Sequence, residues 1–249
     1  LATWIGALAE FAVVLWGHRH YVRLEEQGDA APLDMPYVLR FFWPLALIMA
    51  VQSGTRPLIN VFIAGGEDGT EALAVLTVVY ALGHIPYGWL NEVRNLPSAF
   101  RHGNDLPRIR RFIAGCGLVS LAWMGAVFWT PAVDRILLGW IGVAPALAVH
   151  CGVPLMIFSG FPIVVCLRGY IHGIGLLQHR TGAMAPSAPS RLATVVLVMT
   201  ALSGMDVHGA TLATIALLSG HTVETLVVWW CMRRGLRNER GPTGDLAAH

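Results

Sequence analysis

Six stretches of this chain are apolar and long enough to cross a lipid bilayer, and this feature limits the fold more than any other. A membrane-spanning helix needs about 20 mostly apolar residues. Because hydrocarbon offers the backbone no water, continuous apolar stretches of this length form helices. The sequence therefore predicts an all-α membrane protein. Its predicted spans are Leu39–Ala64, Glu71–Arg94, Ile109–Thr130, Leu147–Leu167, Ala183–Ser203 and Thr211–Met232.

A seventh apolar stretch, Leu1–Trp16, is shorter. No basic residue precedes it and the chain does not begin with Met, so a signal peptide is disfavoured. We interpret residues 1–16 as the end of a preceding transmembrane helix and residues 17–38 as a cytoplasmic linker. Residues 39–233 are then a six-helix transmembrane bundle, and residues 234–249 a disordered cytoplasmic tail.

The charged residues predict which loops face the cytoplasm. Charged residues make up 13% of the chain, against about 25% in soluble domains. All 17 basic residues are Arg, and 13 of them fall in segments that alternating spans place on one side. Basic loops stay cytoplasmic, so the loops after Trp16, Glu92 and Leu177 and the C-terminus face the cytoplasm of a cell (inner) membrane. Anionic headgroups attract such residues, which predicts membrane lipids as partners and no nucleic acid.

Three arginines lie inside the apolar stretches: Arg56, Arg168 and Arg191. A charged side chain at the bilayer centre costs roughly 2.5–3.5 kcal/mol on insertion scales. Water, a partner or an anionic ligand offsets this cost. The pattern predicts a polar cavity within the bundle. The alternatives are a side chain that reaches the interface, or one that pairs with an acid on a neighbouring helix.

Polar residues at helical spacing mark the faces of the first two spans. Gln52, Arg56 and Asn60 are four residues apart and share one face of the first span, where Pro57 predicts a kink. The second face is a longer stripe around Pro86, which predicts a bend there too. Its members are Tyr80, His84, Tyr87 and Asn91, with Glu92 and Arg94 at the end of the span.

Ionisable residues in the spans are candidates for coupling. An acid inside a span, such as Glu224, indicates function by default, although a salt bridge to one of the arginines is an equal alternative and both can hold. His84 could carry a proton or be a neutral hydrogen-bonding group. Motifs for nucleophilic hydrolases, zinc proteases and phosphate-binding loops are missing. The sequence therefore predicts no enzymatic activity, no cofactor and no metal site.

Several motifs, in order and spacing from about Phe41 to Glu224, resemble the progressive ankylosis protein family. They include FWPLALI at 42–48, Arg56-Pro57 with Asn60 and Phe62, GHIPYGWL at 83–90 with Glu92 and Arg94, FWTP at 128–131 and VHGATL at 207–212. The resemblance implies the twelve-helix fold of the multidrug and toxic compound extrusion superfamily, with two six-helix lobes around a cleft. It also implies export of pyrophosphate, citrate or nucleotide triphosphate. This chain would be the C-terminal lobe, with a missing N-terminal six-helix lobe as its partner.

These observations together predict a transporter that exports small polyanions by alternating access. The substrate-binding residues would be Arg56, Asn60, Tyr80, His84, Tyr87, Arg168 and Arg191, and the coupling or gating residues Glu92, Arg94 and Glu224. Guanidinium groups suit a small anionic substrate because their forked donors match two oxygens of phosphate or carboxylate. The alternatives are a flippase for lipid-linked precursors in the same superfamily, and a half-transporter subunit that does not transport.

Overall fold

A computed structural model describes residues 2–21, 34–100 and 105–239, and every regular element in these residues is a helix. The chain divides into two compact units, Leu1–Tyr37 and Val38–His249. The first unit contains α1, Ala2–Tyr21, whose described side chains are mostly exposed and apolar. The helices that follow α1 are α2 Met35–Ala64, α3 Gly69–His84, α4 Leu96–Ala99, α5 Leu106–Phe128, α6 Ala132–Asp134, α7 Pro145–Phe158, α8 Phe161–Leu177, α9 Thr181–Met184, α10 Ser187–Leu202 and α11 Gly209–Glu239.

Five helical segments of the described chain are long and apolar enough to cross a membrane, and a bent pair makes a sixth. They follow the six predicted spans in order, so the prediction of an all-α membrane protein is confirmed. The five are Met35–Ala64, Leu106–Phe128, Pro145–Leu177, Thr181–Leu202 and Gly209–Arg234, and the bent pair is Gly69–His84 with Gly88–Ala99.

The predicted break occurs in the second span. A 3₁₀ helix, Gly88–Asn95, follows α3 after a bend of 49°. Pro86 has no backbone N–H to continue α3, and its own carbonyl accepts bonds from two side chains. Trp89 Nε1 donates over 2.9 Å and Ser120 Oγ, from α5, over 2.7 Å. The bend is therefore held in part by a neighbouring helix.

The first span behaves differently, because α2 is helical without a break through Pro44 and Pro57. The kink predicted at Pro57 therefore does not divide this span into two helices. Thr55, one turn after Val51, donates to the carbonyl of that residue over 2.6 Å. This is the bond that a helical Thr often makes to the carbonyl one turn earlier. The carbonyl that Pro57 leaves without its helical donor is that of Ser53.

Several helix ends differ from the predicted limits. The fourth span is longer than predicted, with α7 and α8 separated only by Ser159 and Gly160. At the other end of the chain, α11 continues to Glu239, into the segment predicted as a tail, since Arg is a good helix former that complements the helix dipole. Most of the predicted linker and the end of the tail, residues 22–33 and 240–249, lie outside the described residues.

The core of the second unit is aromatic and aliphatic. Phe128, Phe158 and Phe161 are almost completely buried, together with Leu155 and Met124. Many large apolar side chains on the helix surfaces are instead exposed, among them Val119 and Leu197. Exposed apolar surface of this extent fits a bilayer environment, where lipid tails are as apolar as the side chains. Some polar residues of the spans, among them Arg168, Arg191 and Glu224, are instead buried inside the bundle.

Candidate functional site

A buried carboxylate lies between two of the three intramembrane arginines. Glu224 on α11 is completely buried, and its Oε2 is 3.2 Å from Nη1 of Arg168 and 3.2 Å from Nη1 of Arg191. Arg168 comes from α8 and Arg191 from α10, and both are nearly buried. Two guanidinium groups thus share one carboxylate, which leaves an excess positive charge at this point of the bundle.

Two amide side chains complete the cluster. Gln52 Nε2 donates to Oε1 of Glu224 over 3.2 Å, and Arg168 Nη2 donates to Oδ1 of Asn91 over 3.1 Å. Gln52 lies on α2 and Asn91 on the 3₁₀ helix after the bend. Buried charges are tolerated when additional hydrogen bonds satisfy their remaining donors and acceptors. The cluster therefore connects five elements: α2, the 3₁₀ helix, α8, α10 and α11.

Arg56 carries the third intramembrane charge and differs from the other two. In the described part of the chain, no salt bridge involves Arg56. Its side chain is exposed, and its guanidinium carbon lies 4.9 Å from the ring centre of Tyr80. A cation over an aromatic face is a favourable but modest interaction. The charge of Arg56 thus has no anionic partner among the described residues.

These charges border a cavity of about 420 Å³, within the size range of ligand pockets. Five predicted substrate-binding residues line it, and they come from α2, α3, α8, α10 and the bend between α3 and the 3₁₀ helix. These five are Arg56, His84, Tyr87, Arg168 and Arg191.

A smaller cavity of about 190 Å³ adjoins the first and shares the polar residues Gln52, Ser53, Asn91 and Arg168 with it. Its other polar side chains are Arg94 and His172. His172 is buried, and its Nε2 has no hydrogen-bond partner among the described residues. Together the two cavities are lined by four arginines, Arg56, Arg94, Arg168 and Arg191.

The remaining predicted site residues lie elsewhere. Asn60 is exposed on α2 and lines neither cavity. Glu92 is exposed and accepts a hydrogen bond from Asn95 Nδ2 over 2.7 Å, so it is also outside both cavities. Tyr80 packs against Arg56 and against the ring of Phe158, but it is not a lining residue of either cavity.

An aromatic group supports one wall of the larger cavity. The ring of Tyr87 stacks on Phe161 with centroids 5.3 Å apart, and Phe161 stacks on Phe158 at 4.6 Å. Gly83 allows this packing, because a Cβ there would lie 2.8 Å from Cδ1 of Phe158. Tight packing fixes the orientation of Tyr87, whose ring faces the cavity beside His84.

Five polar residues of the cavities were not among the predicted site residues: Gln52, Ser53, Asn91, His172 and His221. Gln52 and Asn91 belong to the polar stripes seen in the sequence, which was the available signal for them. His221 donates from Nδ1 to the carbonyl of Leu217 over 2.8 Å, because a carbonyl oxygen can only accept. In the neutral ring, the other nitrogen is then an acceptor.

The family model of the progressive ankylosis protein (ANKH) matches residues 1–130, more than half of the 249 residues. The chain belongs to the progressive ankylosis protein family. The matched segment contains α1 to α5 and the bend, including Arg56, His84 and Tyr87, whereas Arg168, Arg191 and Glu224 follow it. Membership of the progressive ankylosis family and the apolar helices agree on a multi-pass membrane protein of a transport-related family. No solved structure matches the chain.

Proposed function

We propose that this protein is a secondary transporter that exports small polyanions such as pyrophosphate, citrate or nucleotide-like compounds. The observation that carries the proposal is the excess of guanidinium groups around the cavity. Arg56, Arg168 and Arg191 all line it, and among the described residues the one carboxylate that pairs with any of them is that of Glu224, which contacts Arg168 and Arg191. In a low-dielectric surrounding, such an imbalance strongly favours an incoming anion.

Arg56 is the residue that we expect to meet the substrate first. It is exposed, it lines the cavity, and no salt bridge involves it in the described chain. Arg168 and Arg191 are engaged with Glu224 in the state described. A bound polyanion would compete with Glu224 for these two guanidinium groups, because each has donors of the same geometry for phosphate and carboxylate.

This competition gives Glu224 a role in coupling. When the substrate takes over the two arginines, Glu224 loses its counter-charges, and an unpaired buried carboxylate favours protonation. Proton uptake by Glu224 would then accompany substrate binding. Arg94 lines the adjoining smaller cavity and would extend the binding path for longer anions, while Glu92 lies outside it and retains only the proposed gating role.

Alternating access requires a second body that faces the cavity. We propose a twelve-helix carrier of the multidrug and toxic compound extrusion type, in which these helices form one six-helix lobe and the other lobe covers the polar face. We also propose the inner membrane as its location, with the arginine-rich loops cytoplasmic, because basic loops are retained on that side. The substrate would then leave through the face that carries the loops at 65–70, 131–146 and 204–209.

Efflux from proteoliposomes tests the proposal. The full gene product is reconstituted with pyrophosphate or citrate inside, and Arg56→Ala is compared with Arg135→Ala, a matched control outside the spans. Hydrogen bonds to charged groups are worth about 1.5–3 kcal/mol, so Arg56→Ala should reduce transport roughly tenfold to a hundredfold without loss of folded protein. Equal transport by both variants would refute the proposal. Binding of polyprenyl phosphates in preference to citrate would favour a flippase instead. If the native protein transports nothing, the result would favour a structural subunit.

A further inference from the structure

Three side chains that are far apart in sequence meet at one end of the bundle. Glu71 lies in the first turn of α3, His150 in α7, and His208 directly before α11. One ligand atom of each lies within 4.8 Å of the others. None of the three lines the arginine cavity, so this cluster is a separate feature of the described chain.

The separation of His150 and Glu71 suits a shared metal ion better than a direct hydrogen bond. Nε2 of His150 and Oε1 of Glu71 are 3.6 Å apart, which is too long for a good hydrogen bond. Two ligands that each lie about 2.0–2.1 Å from a tetrahedral zinc ion are separated by about 3.3 Å. The observed separation is therefore close to that of two atoms around a shared ion.

A buried nitrogen atom in the cluster has no partner. Nε2 of His208 is inaccessible to solvent and makes no hydrogen bond to any described residue. Buried polar atoms are normally satisfied, so an exception needs an explanation such as an ion.

The surroundings are also suited to a cation. His208 borders a surface cavity that contains three acidic side chains, Glu67, Asp68 and Asp206. Two histidine nitrogens and one glutamate oxygen form the ligand set of many open zinc sites, in which water takes the fourth position. Imidazole also suits copper and nickel, whereas calcium and magnesium prefer oxygen ligands only.

We propose that Glu71, His150 and His208 bind a divalent first-row transition metal ion, zinc above all, with the fourth position open to water. The ion would connect α3, α7 and the start of α11 at the end of the bundle that the sequence places outside the cell. It would therefore link three helices that pack around the hydrophobic core of the bundle.

Binding requires two local changes. The rings of His150 and His208 are stacked almost in parallel, with centroids 4.4 Å apart and planes 7° apart, so their lone pairs do not converge on one point. His150 is well exposed and free to turn about its side-chain bonds. Coordination through Nε2 also places a proton on Nδ1 of His208, which gives up the long bond of 3.3 Å from the N–H of Ala210.

Metal binding to the purified full gene product, in detergent and without a histidine tag, tests the proposal. We compare the native protein with Glu71→Gln, His150→Gln, His208→Gln and a control, His20→Gln, which changes an exposed histidine on α1. The native protein and the control should bind one zinc ion per chain. Each cluster variant should lose at least tenfold in affinity, since even residues that only orient a ligand are worth 10- to 100-fold.

Two further readouts identify the ligands. Cobalt in the native protein and the control should give the visible absorption of a tetrahedral site, and zinc should raise their unfolding temperature. Both effects should be missing in the three variants, whose unchanged circular dichroism shows that they fold. A native protein that binds no zinc, variants that all bind like the native protein, or a loss confined to one variant would each overturn the three-residue site.

Discussion

Arg191 and Glu224 form an ion pair inside the helical bundle, with 3.2 Å between Nη1 and Oε2 and hardly any exposed surface on either side chain. The same oxygen accepts a bond from Arg168. The three charges are therefore not equivalent: the carboxylate has two partners, and each guanidinium has only this one carboxylate among the described residues.

We expect removal of the shared carboxylate to destabilise the protein most. Glu224→Ala leaves two buried guanidinium groups without a counter-charge, and breaking a buried pair costs about 3–5 kcal/mol. Arg191→Ala should destabilise the protein less, because Glu224 retains its ion pair with Arg168. Arg56→Ala should change stability by less than about 1 kcal/mol, as for other exposed charges. Thermal unfolding of the purified variants gives the order, and a least stable Arg56→Ala would contradict this account of the cluster.

We expect Gly83→Ala to destabilise the wall of the larger cavity. The added Cβ would lie 2.8 Å from the ring of Phe158, and overpacking costs about 1–3 kcal/mol. Gly125→Ala in α5 is the matched control, because nothing lies near its added Cβ and alanine favours a helix by up to about 1 kcal/mol. Unfolding temperatures should fall for the first variant and stay or rise for the second. A rise for both would show that Phe158 moves aside.

We expect Ser120→Ala to weaken the bend after α3. The variant loses the buried bond to the carbonyl of Pro86, while Trp89 still donates to that oxygen, so the cost should be about 0.5–1.5 kcal/mol. Thr200→Ala serves as a control, since its exposed hydroxyl bonds only to the preceding turn of its own helix. Hydrogen exchange of the backbone near Gly88 should increase in the first variant alone. Unchanged hydrogen exchange would mean that the bond from Trp89 to Pro86 is enough to hold the bend.

The proposed orientation predicts which residues a membrane-impermeant thiol reagent reaches in intact cells. In a background without the four native cysteines, Glu67→Cys lies in a loop expected outside, and Arg110→Cys on the arginine-rich side. Only Glu67→Cys should react before the cells are opened. The reverse pattern would invert the orientation and the direction of transport with it.

The sequence predicted the spans and the arginine cavity because both follow from the cost of polar groups in hydrocarbon. An arginine in an apolar stretch must meet a partner or water, and Arg56, Arg168 and Arg191 do line one cavity. The salt-bridge alternative for Glu224 is also confirmed. This type of inference needs only the composition of each span.

The remaining features depend on how the helices are oriented relative to one another. The spacing of residues along the sequence does not give this orientation. Asn60 shares a helical face with Arg56 but lies beyond the cavity, and Glu92 is turned away from it. Beyond the bend the chain has three residues per turn, so the stripe of the second span changes direction after His84. The cluster of Glu71, His150 and His208 joins three distant segments, and no local pattern indicates it.

The bend at Pro86 also bears on how this protein can move. Its carbonyl accepts a hydroxyl from α5 in a place that we expect to be free of water, where an unmade hydrogen bond costs far more than in solution. Straightening the chain between α3 and the 3₁₀ helix would break that bond and leave the buried hydroxyl of Ser120 without this acceptor. The two parts of this broken helix and α5 should therefore move together as one rigid unit. Any opening of the protein should then occur where this unit contacts the neighbouring helices.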